Sequence, residues 1–251
     1  MRRGVNVNII TVDHHKHMSK IASEFIYEAI HRNPNLVLGV ATGSTPEQTY
    51  ERLVEKIKQD PIDLSKLKTV NLDEYVGLPR EHEESYWQYM IQHLYAPLEL
   101  SIDQGLVPDG MSANLDEECI QYERKIERLG GIDLQMLGVG VNGHIGFNEP
   151  GTSFDSNTHV VELTESTRIA NARFFQNQQD VPTKAITVGI STIMKSRSII
   201  LLASGNEKAT AVSTLLKGEV SPEWPVTILN QHDDVTLIVT KDAIETEEPN
   251  A

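Results

Sequence analysis

The chain has 251 residues, 39% hydrophobic and 23% charged, a length and composition that suit one large folded unit with a sizeable core. Its net charge is −14, from 22 basic and 36 acidic residues with no basic stripe, which argues against nucleic acid as a partner. The longest apolar run, SIILLA (198–203), is far too short to cross a bilayer, so no membrane association is expected.

In chain order, the opening MRRGVNVNIITVD lacks the long apolar block of an export signal, and NVNIITV (6–12) reads as a strand. DHHKH (13–17) has three histidines without the spacing of a metal site, and a solvated approach to the next helix is the plainer reading. SKIASEFIYEAIH (19–31) repeats its apolar residues at helical spacing. The strand LVLGVA (36–41), the turn ATGSTP and the helix PEQTYERLVEKIKQ (46–59) follow. A short strand TVNLDEY (69–75), helices near 84–94 and 113–129, and the strand IDLQMLGV (132–139) complete the first half. The second half offers THVVELT as a strand, ESTRIANARFF as a helix, and then the strands KAITVGI and RSIILLA. A helix from Asn206 to Leu216 and the strand DVTLIVT end the pattern. Strands alternating with helices predict an α/β fold, a mainly parallel sheet with helices on both faces, whose ligands bind beyond the carboxyl ends of the strands. No Pro/Gly-rich linker divides the chain, so residues 1–251 are expected to form a single domain. The lone Cys119 excludes an intrachain disulfide; it reads as a structural thiol and suits a reducing, cytoplasmic setting.

Four stretches carry candidate chemistry. In ATGSTPEQ (41–48), Gly43 frees the backbone, Thr45 is a good N-cap, Pro46 suits the first helical turn, and Gln48 completes a capping box. A glycine turn feeding a helix N-terminus suits a phosphate, but a capped helix without a ligand explains this stretch equally well. NLDEYVGL (71–78) puts Asp73 and Glu74 at a strand end, where either a catalytic carboxylate or a solvated turn fits. LGVGVNGHIGFNEPG (137–151) contains a G-x-G-x-x-G, yet Pro150 and Gly151 stop any helix that a dinucleotide site would need after it. What remains is a strand-end loop with Asn142, His144, Asn148 and Glu149, in which a carboxylate can orient and charge a histidine that moves protons. Arg173 in NARFF and Lys208 in SGNEKA could each close on an anion.

These pieces, in this order, resemble the glucosamine-6-phosphate deaminases. The matching stretches are LGVATGSTPEQTY, VNLDEYVGL, ESYWQYM, LGVGVNGHIGFNEPGTSF, TRIANARFF, VPTKAITVGI and SGNEKA, and they run from about residue 36 to 216. The resemblance implies a modified Rossmann-like sheet and conversion of glucosamine 6-phosphate and water to fructose 6-phosphate and ammonia, with no metal or organic cofactor. It makes a small-molecule sugar phosphate the partner and amino-sugar degradation the setting. Carried over residue by residue, it makes Asp73 the base at the C2 proton, and His144 the ring-opening group supported by Glu149 and Asn142. Gly43, Ser44 and Thr45 would hold the phosphate, with Arg173 and Lys208 closing over it, and the polar segment 164–184 would form a lid. The glycines of the histidine loop then serve a tight backbone around the acid–base groups.

The chain departs from the family pattern in three respects. Some members carry aspartate where Asn142 stands, and a neutral amide cannot stabilise an imidazolium as a carboxylate would. The best-known bacterial members are hexamers that bind N-acetylglucosamine 6-phosphate at a subunit boundary through basic residues. Here His159 and Val161 occupy those places and the closing KDAIETEEPNA is short, so no activation by that ligand is expected and homo-oligomer formation is left open. A 6-phosphogluconolactonase would share the sheet and a similar glycine–histidine loop but would not be expected to keep both NLDEYVGL and FNEPG.

Overall fold

The computed structural model describes residues 7–175 and 177–244. Asn6 of the first predicted strand, Gln176 of the predicted lid and residues 245–251 lie outside that part. The described strands are β1 (Val7–Val12), β2 (Val37–Val40), β3 (Lys68–Asn71), β4 (Asp73–Tyr75), β5 (Gly105–Leu106), β6 (Leu134–Gly138), β7 (His159–Glu162), β8 (Lys184–Thr187), β9 (Ser198–Ala203) and β10 (Val235–Thr240). The helices are α1 (His15–Arg32), α2 (Ser44–Gln59), α3 (Tyr86–Met90), α4 (Leu115–Arg128), α5 (Glu165–Asn171), α6 (Ile190–Met194), α7 (Ala209–Leu216) and α8 (Lys241–Ile244). No helix among the described residues is long and apolar enough to cross a membrane.

Seven strands pair in the order β1–β10–β9–β6–β2–β3–β5, every pair parallel. The expected α/β architecture is therefore present. Alternation along the strands supplies a core on each face. Leu137, Ile199, Leu201, Val235, Leu237 and Val239 join one apolar cluster, while Leu134, Met136, Ile200, Leu202 and Ile238 join the other. Helix α1 covers the second cluster with Met18, Ala22, Ile26 and Ile30, a four-residue repeat that keeps one stripe inward. Ile26 and Ile30 are fully buried, which stabilises the fold by roughly 1.5–3 kcal/mol for each side chain.

β2 and β6 are neighbours, yet the chain leaves them toward opposite edges, through β3 and β5 on one side and through β9 and β10 on the other. Such a reversal opens a crevice beyond the strands' carboxyl ends. That crevice holds the site.

Three local expectations need correction. TVNLDEY is two strands, because β4 leaves the main sheet and pairs antiparallel with β8 in a small sheet of order β4–β8–β7. Leu72 is the seam. Its N–H donates to the Val40 carbonyl of the main sheet at 3.2 Å, and its carbonyl accepts from the Val188 N–H just after β8 at 2.7 Å. THVVELT and KAITVGI also belong to this second sheet, so they are antiparallel rather than part of the parallel array. The first predicted helix starts earlier, at His15, because the His14 ring caps it by accepting from the His17 N–H at 3.2 Å. The histidine cluster is thus a helix start. Among the described residues no group of three or more His, Cys, Asp or Glu side chains could hold a metal ion. Cys119 is buried in α4 and its thiol is pushed up to about 11, chiefly by burial, in keeping with an inert structural role.

Candidate active site

Turns from the carboxyl ends of four adjacent strands, β3, β2, β6 and β9, converge on one cavity of about 270 Å³. Eight of the nine candidate residues line it: Gly43, Ser44, Thr45, Asp73, Asn142, His144, Arg173 and Lys208. The ninth, Glu149, stands behind Asn142 and His144.

The turn after β2 departs from the sequence reading. The N-cap of α2 is Gly43, not Thr45, and no side chain caps the helix. Gly43 has φ +93°, a conformation that favours glycine, so the chain enters the helix two residues earlier than expected. Ser44 and Thr45 then lie inside the first turn, and the helix N-terminus faces the cavity without a side-chain acceptor. Free N–H groups and the positive end of the helix dipole make this end suit an anion. Two cations lie on the same side. The Arg173 guanidinium donates to the Ser44 hydroxyl at 2.9 Å. Burial holds the Lys208 ammonium below the ordinary lysine range, with Glu207 opposing and Arg173 adding to the effect. An anion here would meet the helix N-terminus and both cations.

Asp73 and Glu74 have different environments, as alternation along β4 requires. Glu74 turns to α3 and accepts the backbone N–H groups of Tyr75, Tyr86 and Trp87 at 2.8, 3.0 and 3.0 Å. It is a helix-capping carboxylate. Asp73 turns to the cavity, is 7% exposed, and receives no hydrogen bond among the described residues. Burial first, and the neighbouring Glu74 charge second, push its carboxyl up to about 8.

The loop after β6 closes on itself. The Gly140 N–H donates to the His144 carbonyl at 2.9 Å, and the Gly143 N–H to the Gly140 carbonyl at 3.0 Å. The His144 ring lies flat against Gly140, where a Cβ would sit 2.3 Å from ring atoms. Asn148 is fully buried and its amide ties Ile145 and Val188, both at 2.9 Å, which anchors the loop to the chain beyond β8.

Glu149 lies at the centre of the polar contacts. Its Oε2 accepts from the Asn142 amide at 2.6 Å and stands 3.6 Å from His144 Nδ1, ion-pair rather than hydrogen-bond distance. Its Oε1 accepts from the Thr167 hydroxyl at 2.7 Å. Burial opposes ionisation, but His144, Thr167 and Asn142 outweigh it and hold the carboxyl at about 2. Asn142 meets the histidine through the backbone, its Oδ1 accepting the His144 N–H at 3.3 Å. Its link to the imidazole therefore runs through Glu149. Thr167 carried no signal in the sequence, since its contact with Glu149 depends on how α5 packs.

Residues 13–238 match the family described as glucosamine-6-phosphate isomerases/6-phosphogluconolactonase. The chain is 49% identical over 237 residues to a glucosamine-6-phosphate deaminase of Shouchella clausii (strain KSM-K16), covering 94% of this chain and 96% of that protein. It is also 49% identical over 238 residues to one of Geobacillus sp. (strain WCH70), covering 95% of each. A solved structure described as a monomeric glucosamine-6-phosphate deaminase superposes with TM-score 0.93 at 42% identity, covering 95% of this chain and all of that one. A 6-phosphogluconolactonase from Trypanosoma cruzi shares the fold, with TM-score 0.79 at 21% identity over 98% of each chain.

Proposed function

The chain belongs to the family of glucosamine-6-phosphate isomerases and 6-phosphogluconolactonases, and from that premise we propose that it is a glucosamine-6-phosphate deaminase. It converts glucosamine 6-phosphate and water to fructose 6-phosphate and ammonia. The observation that carries this reading is the polarity of the cavity. Its lining brings an uncapped helix N-terminus, Arg173 and Lys208 together with Asp73 and His144.

The phosphate rests on Gly43, Ser44 and Thr45, with Arg173 and Lys208 over it. This anchoring fixes the sugar carbons against the acid–base groups and lowers the barrier by orientation. His144 moves a proton between the ring oxygen and the C1 hydroxyl, opening the ring to the aldehyde. Glu149 faces Nδ1 of that ring, which leaves Nε2 for the sugar. Asp73 then takes the C2 proton, now acidified by the C1 carbonyl, and a proton returns to C1. The resulting C2 imine adds water and expels ammonia, leaving the ketone. Each acid–base step is worth roughly 10²–10⁴ in rate, and a carboxyl near 8 is a stronger base than an ordinary aspartate. Residues 164–184 act as a lid that excludes water during proton transfer, the whole chain serves as one catalytic domain, and it works in the cytoplasm.

The test is to treat the purified protein with EDTA, add glucosamine 6-phosphate, and follow ammonia and fructose 6-phosphate together. Equal release of both, lost in Asp73→Asn, is the expected result. Absence of both products, with hydrolysis of 6-phosphogluconolactone in their place, would overturn the proposal.

A further inference from the structure

We propose that Thr167 is a positioning residue through which the order of segment 164–173 is passed to the Glu149–His144 pair, an inference that rests on the deaminase reading above. Helix α5 has seven residues, too few to be stable through its own backbone bonds. Threonine hydroxyls hold its start. The Thr167 N–H donates to the Thr164 hydroxyl at 3.2 Å, and that hydroxyl donates to the Thr167 oxygen at 2.9 Å. Thr167, which is buried, gives its own proton to Glu149 Oε1 at 2.7 Å. The Thr164 hydroxyl also lies 3.4 Å from Glu149 Oε1, but its contact with Thr167 is the shorter, and with one proton per hydroxyl the shorter contacts run from the helix cap through Thr167 to the carboxylate.

Glu149 thereby has two allegiances. One oxygen belongs to α5, and the other to Asn142 and His144. The far end of the same segment reaches the phosphate end of the cavity, where Arg173 donates to Ser44. One short segment touches both halves of the reaction. A phosphate on Arg173 holds the segment in this arrangement, keeps the Thr167 hydroxyl on Glu149, and so fixes the carboxylate that faces the ring-opening histidine. Selectivity for a phosphorylated sugar then appears in kcat as well as in binding, because the phosphate completes the acid–base pair. Linkage makes the effect reciprocal: an intact Thr167–Glu149 contact must in turn favour phosphate binding.

The experiment compares wild type with Thr167→Val, Thr167→Ser, Glu149→Gln and the Thr167→Val/Glu149→Gln double variant, with Thr167→Ala in reserve should valine disturb packing. Amide hydrogen exchange over 164–173 is followed with and without inorganic phosphate. In wild type, phosphate is expected to slow exchange about 10-fold, the scale of a hydrogen bond to a charged acceptor. The slowing should fall below about threefold in Thr167→Val and in Glu149→Gln, fall no further in the double variant, and return in Thr167→Ser. In turnover, Thr167→Val should lose about 10-fold in kcat and raise KM by about threefold, the share that reciprocity assigns to phosphate binding, again with rescue by serine. Equal phosphate protection in all variants, or additive losses in the double variant, overturns the proposal. If wild type releases no ammonia the deaminase reading fails, and the exchange measurements alone then decide the coupling.

Discussion

Asp73→Asn separates the thermodynamic cost of the buried carboxyl from its use. In the unfolded chain this carboxyl ionises near 3.8, and in the fold near 8. Between those values the unfolded state has lost a proton that the folded state keeps. The stability this gives is fully present below pH 3.8 and is lost as pH rises through 8. The slope is 1.36 kcal/mol per pH unit, tapering near the upper value, so from pH 5 to pH 7.5 wild type forfeits about 3 kcal/mol through this one group. Asparagine does not titrate. It carries a fixed penalty of about 1–3 kcal/mol for an amide without partners, and that penalty cancels when the two proteins are compared across pH. For a chain of this size, 3 kcal/mol corresponds to roughly 6–12 °C in Tm. Thermal unfolding of both proteins at half-unit steps from pH 5 to 7.5, without sugar phosphate, reads the difference directly. The variant's Tm should climb relative to wild type by that amount. A gap that stays constant to within about 1 °C would refute the reasoning, because the carboxyl would then ionise in the fold much as it does in the unfolded chain.

Three further outcomes follow from the site. Asn142→Asp replaces a donor 2.6 Å from Glu149 with a second carboxylate, so the pair should share one proton with ionisations pushed apart by about 3 units. The pH–rate profile should then move toward alkaline pH, and an unchanged profile would remove Asn142 from the proton network. Gly140→Ala puts a Cβ into the His144 ring, and displacing that ring should cut kcat by at least about 100-fold with little change in Tm; near-normal turnover would show that the ring need not lie there. Initial-rate kinetics should be hyperbolic and indifferent to N-acetylglucosamine 6-phosphate, since the His159 ring is held on the Asn157 carbonyl at 2.8 Å and Val161 has no charge to offer an anion. An activator-dependent fall in half-saturation would contradict this.

Much of the architecture is written locally. The apolar strands and the alternation of elements are visible in the chain because each strand of a doubly covered sheet must be apolar on both faces. Helix starts were less legible. Thr45 and Gln48 have the chemistry of a capping box, yet Gly43 takes the N-cap because its φ of +93° lets the helix begin sooner. TVNLDEY reads as one strand because a change of sheet at Leu72 is made by backbone partners remote in sequence, Val40 and Val188. The short elements α6 and α8 have too few residues to show a period. Within the site, residue chemistry alone marks Asp73 and Glu74 as an adjacent pair, and only the family resemblance singles out Asp73. Their division into cavity carboxyl and helix cap depends on where α3 lands. Thr167 was hidden for the same reason.

The small sheet has a consequence for any attempt to redesign this chain. β4 and β8 are paired with Asp73 opposite Thr187 and Glu74 opposite Ile186, and the sides of a strand alternate at every residue. Deleting or inserting a single residue near Leu72 would turn β4 over. Glu74 would then face the crevice, and the shorter Asp73 side chain would face the amides at the start of α3. Neighbouring acidic residues would exchange duties without any change in composition. Loop grafts between family members should therefore leave 70–76 and 184–188 in register and place their junctions elsewhere.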